Sequence, residues 1–323
     1  MKIFDAHSDI LTDVTLRRTD GQSDVMRRRH IDRLRKGDIA ATILVVWIDP
    51  PHTAEPTWRM LQILGAACDE ITEMNDIAGL VARSGDMQTI QDSGRLAVIL
   101  GMEGLSGLRG NVSLISTLYR LGVRHASLTW NEENEFATGA GSHDNKRGLT
   151  KPGVEALAKM EKLGMIVDVS HANEKTFTDI CEHATRPFIA SHSNAWELRN
   201  VARNLKDYQI KAIAECGGVI GMNAWPDFIH PTEPTAENLA RHVDHIAGLV
   251  GTDHIGLGFD FVDYLDPDTM SSLQPGSRSA AIGLEDASKA GAFCRFLIDK
   301  GYSTTDVEKI AYGNMARIVK EIL

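Results

Sequence analysis

Cysteine is scarce in this chain: four in 323 residues, with no Cys-x-x-Cys pair. Cys68, Cys181, Cys216 and Cys294 are too scattered for a disulfide framework, and reduced, buried thiols are expected. Long apolar runs are also missing. Nothing approaches the roughly 20 residues of a bilayer span, and no basic-then-apolar signal pattern opens the sequence. Basic charge is in deficit, with 34 Lys and Arg against 44 Asp and Glu and a formal net charge of −10. That balance argues against nucleic acid and an anionic membrane as partners. An anionic small substrate stays open, because local fields differ from net charge. A cytoplasmic soluble protein is expected. No Gly-rich loop follows the first apolar run, which weakens the case for a doubly wound nucleotide-binding sheet.

What is present is an alternation of short apolar runs with longer amphipathic stretches. Eight runs read as strands: 2–6, 40–47, 96–102, 125–129, 165–169, 188–190, 218–222 and 255–258. Runs that are apolar throughout suit a parallel sheet buried on both faces. Eight of them with helices between predict a (β/α)8 TIM barrel, whose usual size is about 250 residues, filling 1–323 as a single domain. After Pro56, the spacing of Met60, Leu61, Leu64, Cys68 and Ile71 predicts one helix face. Thr150-Lys151-Pro152 announces another helix, with Val154, Leu157 and Ala158 inward. The segment 263–283 reads as one long loop.

The chemistry lies at the ends of these runs. The first ends in His7-Ser8-Asp9, whose imidazole and carboxylate project together. The third ends in Glu103, the fifth in His171, the sixth in His192 and the eighth in Asp260. In a barrel these ends share the C-terminal rim, where active sites sit. A single strand-end histidine is more often structural than a ligand. The joint pattern of three histidines and three acids is what points to metal. Five ligands exceed the four of a structural zinc site. Two ions about 3.5–4 Å apart, bridged by Glu103, fit better. His7 and Asp9 then hold one ion, and His171 and His192 the other. The ligand types favour two Zn2+ per chain, with manganese, cobalt or iron as alternatives. His125 begins its run, so it is expected on the opposite rim. The other histidines, such as His30 and His242, read as surface or structural.

The chain resembles the membrane (renal) dipeptidase family, the M19 metallopeptidases, nearly end to end. The resemblance rests on Asp5-Ala6-His7-Ser8-Asp9, Gly101-Met102-Glu103-Gly104, Leu128-Thr129-Trp130-Asn131, Gly148-Leu149-Thr150, Asp168-Val169-Ser170-His171, Ser191-His192-Ser193, Arg203-Asn204 and Gly258-Phe259-Asp260. It implies a binuclear zinc enzyme that cleaves dipeptides, many members accepting a D-residue at the C-terminal position. It implies His7, Asp9 and bridging Glu103 on one zinc, and Glu103, His171 and His192 on the other. It gives Arg203 the substrate carboxylate, a task that suits a guanidinium, and Asp260 the proton. One departure stands out. Where well-studied members carry a substrate-contacting histidine after Leu-Thr, this chain has Trp130. Indole donates one hydrogen bond and accepts none. Asn131, Asn134 or His143, the last in the Gly-rich stretch after Gly139, are the candidate substitutes.

The expected mechanism is attack by a water whose pKa the two metals lower to about 7. Asp260 takes the proton and returns it to the leaving amine. A related amidohydrolase acting on N-acyl amino acids or cyclic amides is the alternative, and a non-catalytic barrel is a more distant one. Such barrels also allow a homodimer.

Overall fold

The computed structural model describes residues 1–50, 52–142, 144, 146–273 and 280–323. Its strands are β1 (Ile3–Ser8), β2 (Ile39–Trp47), β3 (Ala78–Leu80), β4 (Leu96–Glu103), β5 (Val123–Ser127), β6 (Ile166–Asp168), β7 (Ile220–Met222) and β8 (Ile255–Leu257). Every pairing between them is parallel, in the order β6-β5-β4-β2-β1-β8-β7. The longest ladder joins β2 to β4, from Ala41 opposite Ala97 to Trp47 opposite Glu103. Helices cover the outside, so both faces of the strands are buried and the runs are apolar. Ile43, Leu44, Val45 and Val46 lie in that core. Each such side chain contributes about 1.5–3 kcal/mol by leaving water.

The result is an α/β fold built on a curled parallel sheet. It differs from the sequence expectation in two places. β3 is an extra strand that shares one edge of β4 with β5. Its Ala-Gly-Leu is too short to show a pattern. Residues 188–190 do not form a ladder. They make single parallel bridges instead, Ile189 to Asp168 of β6 and Ala190 to Ile220 of β7. Glycine explains how this segment fits. A Cβ on Gly221 or on Gly258 would overlap the Ser191 carbonyl oxygen, so bare backbone is required on both neighbours.

The helices also correct the predicted faces. Helix Pro56–Glu73 buries Met60, Ile63, Leu64 and Ala67, while Leu61 is 52% exposed and Cys68 is exposed too. Helix Lys151–Leu163 is capped as expected, with Thr150 Oγ1 accepting from Gly153 N at 3.1 Å. It buries Gly153, Ala156, Leu157 and Met160 rather than Val154 and Ala158. Only Cys294 of the four thiols is buried. The segment read as a long loop contains helix Pro267–Leu273, and its residues 274–279 lie outside the described ones. No helix among the described residues is long and apolar enough to cross a membrane.

Candidate metal centre

His7, Asp9, Glu103, His171, His192 and Asp260 meet at one end of the sheet. The pairing of β1 with β2 shifts register between Asp5 and Ser8. Such an irregularity re-aims a side chain, and here it spans Ala6 and His7. His7 Nε2 lies 3.5 Å from Asp9 Oδ2, 3.6 Å from Glu103 Oε1 and 3.9 Å from Asp260 Oδ1. Glu103, the last residue of β4, also reaches the other histidines. Its Oε1 is 2.8 Å from His171 Nε2 and 3.5 Å from His192 Nε2. His171 and His192 face each other, Nε2 to Nε2, at 3.0 Å. His171 and Asp260 both have left-handed backbone, with φ of 69° and 58°. Strain of that kind costs on the order of 1–3 kcal/mol per residue and concentrates at functional sites.

The far side of each facing ring is held. His171 Nδ1 donates to Asn131 Oδ1 at 2.8 Å. His192 Nδ1 is 2.7 Å from Ser191 Oγ. Ser191 Oγ gives its one hydrogen to Asp168 Oδ2 at 2.5 Å, so both Nδ1 atoms carry the ring proton and both rings turn a bare Nε2 lone pair to the centre. Burial, helped by Arg203 and His7, holds both imidazoles well below the usual histidine range. Glu103 is pushed well up by burial and by Asp9 and Asp260. Burial also raises Asp260 to about 7, with Asp9 adding to it and His7 and Arg203 opposing. His7 goes the other way. Burial opposes its charge, but Glu103, Asp9 and Asp260 outweigh that and raise it to about 10. Three acids and two bare lone pairs make a centre that calls for positive charge.

The donor set fits metal. His7 Nδ1, His7 Nε2 and Asp9 Oδ1 are buried without a hydrogen-bond partner, an arrangement that costs free energy unless a ligand answers it. The triads His7, Glu103, His192 and His7, Asp9, Asp260 each bring three ligand atoms within 4.8 Å. Neutral imidazole with carboxylate is a transition-metal donor set.

A cavity of about 100 Å³ adjoins the cluster, lined by Asp9, Glu103, His171 and Asp260 and walled by Trp47, Trp130 and Phe228. Trp130 and Glu103 also line a larger cavity of about 440 Å³. Arg203 is buried beside Phe228, whose ring centre is 5.4 Å from the guanidinium carbon. It donates to His192 O at 3.3 Å, and its Nε has no partner. Burial lowers it to about 10, against Glu103, Asp260 and Asp168.

Not every expectation survives. Asn131 does line the smaller cavity, and its Oδ1 also holds His171. Asn134 is spent on its own turn, bonding Leu128 O and the backbone of Phe136 and Ala137. His143 lies outside the described residues. The glycine-rich stretch before it secures His171 itself, with Ala140 N donating to His171 O at 2.7 Å. His125 is not on the opposite rim. It sits inside β5, 3.0 Å from Asp168 Oδ2. Sequence reasoning missed Asp168, Ser191 and Asn223 as supporting residues. Asp168 and Ser191 stand beside His171 and His192 in the quoted motifs, and that adjacency was the available signal.

A buried cluster of histidines and acids at the end of a parallel α/β sheet defines a metallohydrolase. The whole chain, residues 1–323, matches the family model described as membrane dipeptidase (peptidase family M19), and the chain belongs to that family. It is a metallo-dipeptidase by that membership. Among its relatives, an "uncharacterized protein in pqqA 5'region" of Klebsiella pneumoniae is 31% identical over 84% of this chain and 98% of that protein. Dipeptidase tcpJ of Claviceps purpurea is 30% identical over 91% of this chain and 69% of its own. The fold is shared with a metallo peptidase from Rhodobacter sphaeroides, crystallised with a phosphinate mimic of the dipeptide L-Ala-D-Ala. Its TM-score is 0.87 at 21% identity, over 100% of this chain and 99% of that one.

Proposed function

We propose that the cluster is a two-zinc centre for dipeptide hydrolysis, with substrates that include L-Xaa-D-Xaa. His7, Asp9 and Glu103 would hold one ion, and Glu103, His171 and His192 the other. The observation that carries this reading is the pair of facing Nε2 atoms on His171 and His192, each bare because its Nδ1 donates, to Asn131 Oδ1 and to Ser191 Oγ. The D-residue preference draws on the family resemblance and on the L-Ala-D-Ala mimic in the Rhodobacter neighbour. We read the curled sheet as a closed eight-stranded barrel in which residues 188–190 fill the gap between β6 and β7. The bridges on both sides of that segment support this.

Bound there, the ions supply an acidified water and positive charge for the carbonyl oxygen. The chain's own residues do the rest. Asp260 moves the proton from water to the leaving amine. Its Oδ2 accepts from Asn223 Nδ2 at 3.1 Å, which leaves Oδ1 turned to the cluster. Arg203 binds the substrate's terminal carboxylate with its unpartnered N–H, a charge-assisted bond in a dry setting. Trp47, Trp130 and Phe228 exclude water from the cavity and limit the side chains it accepts. Asp260→Asn tests the assignment. Dipeptide hydrolysis is expected to fall by roughly 10²- to 10⁴-fold while zinc stays near two per chain. Surviving activity would overturn the proton role.

A further inference from the structure

Behind His192 runs a buried polar relay with no direct part in the reaction. Asp168 Oδ1 accepts two backbone N–H groups, from Ser170 and Ser191, each at 2.9 Å. Its Oδ2 accepts from Ser191 Oγ at 2.5 Å and from His125 Nε2 at 3.0 Å. All four members of the relay are 2% exposed or less. Burial opposes the charge on Asp168, but these donors hold its carboxyl well below the usual carboxylate range. It is an acceptor only.

That fixes the direction of every proton in the chain. A serine hydroxyl has one hydrogen. Ser191 gives it to Asp168, so toward His192 it can only accept. His192 must then carry its proton on Nδ1, 2.7 Å away. We propose that Asp168 is a positioning residue for the metal centre, acting through Ser191 to lock His192 in the Nδ1–H form with Nε2 bare. The inference rests on His192 being a metal ligand, as proposed above. Its location adds a second point. Asp168 ends β6, and Ser191 follows the bridged segment 188–190, so the relay spans the place where the sheet has no full ladder.

Asp168→Asn tests the direction of the relay. The introduced amide keeps an oxygen for the two backbone N–H groups and turns an N–H donor toward Ser191. Ser191 then donates to His192 Nδ1, and the proton moves to Nε2, where it faces the centre. Nitrogen NMR on metal-free protein carrying isotope-labelled histidine reads which ring nitrogen of His192 is protonated. Chelator competition on zinc-loaded protein reads affinity. The expected result is an Nδ1–H signal in the parent protein, an Nε2–H signal in the variant, and zinc affinity at one of the two ions reduced by at least 10- to 100-fold, the usual order for lost support of a ligand. Ser191→Ala should weaken the same ion, and Ser191→Thr, which keeps the hydroxyl, should restore it. That pair carries the test if Asp168→Asn does not fold. If the parent binds zinc and neither Asp168→Asn nor Ser191→Ala weakens it, or if His192 keeps Nδ1–H in the Asn variant, the relay does not act as proposed. A parent protein that binds no zinc would instead overturn the two-zinc reading.

Discussion

His171 and His192 meet Nε2 to Nε2 at 3.0 Å, with both Nδ1 atoms engaged elsewhere. Two bare lone pairs at that distance repel unless a cation lies between or beside them. Removing metal should therefore weaken the fold as well as stop the reaction. A ligand at a thousandfold excess over its Kd stabilises by roughly 4 kcal/mol, so chelation should lower Tm by about 5–15 °C. Calorimetry with and without chelator, followed by zinc readdition, checks this. An unchanged Tm would mean that the centre is indifferent to cations.

Arg203 makes one long hydrogen bond, to His192 O, and keeps an unpartnered buried N–H. Arg203→Met should cut kcat/KM for free dipeptides by roughly 10- to 100-fold, chiefly through KM. Dipeptides whose carboxylate is blocked as an amide should lose little. Equal loss on both substrates would make the residue structural.

Trp130 lines both the cavity of about 100 Å³ and a neighbour of about 440 Å³. Trp130→Ala should join them. The ratio of kcat/KM for a phenylalanyl dipeptide over an alanyl one is expected to rise roughly 10-fold. An unchanged ratio would show that side-chain size is set elsewhere.

Asp13, one helical turn beyond Asp9, offers a pH test of stability. Burial would raise it, but hydrogen bonds from His30 and Arg29 win and lower it from 3.8 to about 2. A depressed carboxyl stabilises the fold above its unfolded pKa, and that contribution fades as pH drops through the folded value. The shift is worth on the order of 2 kcal/mol. Asp13→Asn should be destabilised by that much near neutral pH, and its deficit should close between about pH 4 and pH 2. Denaturant unfolding across that range reads the difference.

Much of this architecture was legible because it depends on period and position. β2 and β4 are uniformly apolar, so their sequences declare buried parallel strands. The six cluster residues follow apolar runs, and strand ends are where such folds place chemistry. Residues 188–190 were harder, since a three-residue run carries no information on whether it pairs by a ladder or by single bridges. The faces of helix Pro56–Glu73 slipped by one position because apolar Leu61 lies on the solvent side. His125 was misplaced for a different reason. It heads the apolar run, but β5 begins two residues earlier, at Val123. Support from Asn131 and Asn223 depends on side chains meeting across the fold, which no local pattern encodes.

Gly221 and Gly258 leave room for the Ser191 carbonyl and so for the segment that carries His192. Neither has a functional atom. In a map of mutational tolerance they should nonetheless score with the proposed metal ligands, since any side chain there displaces Ser191 and with it the neighbouring imidazole of His192. Tolerance in this enzyme is thus set partly by empty space, and a survey that ranks residues by chemical group would overlook two of its most constrained positions.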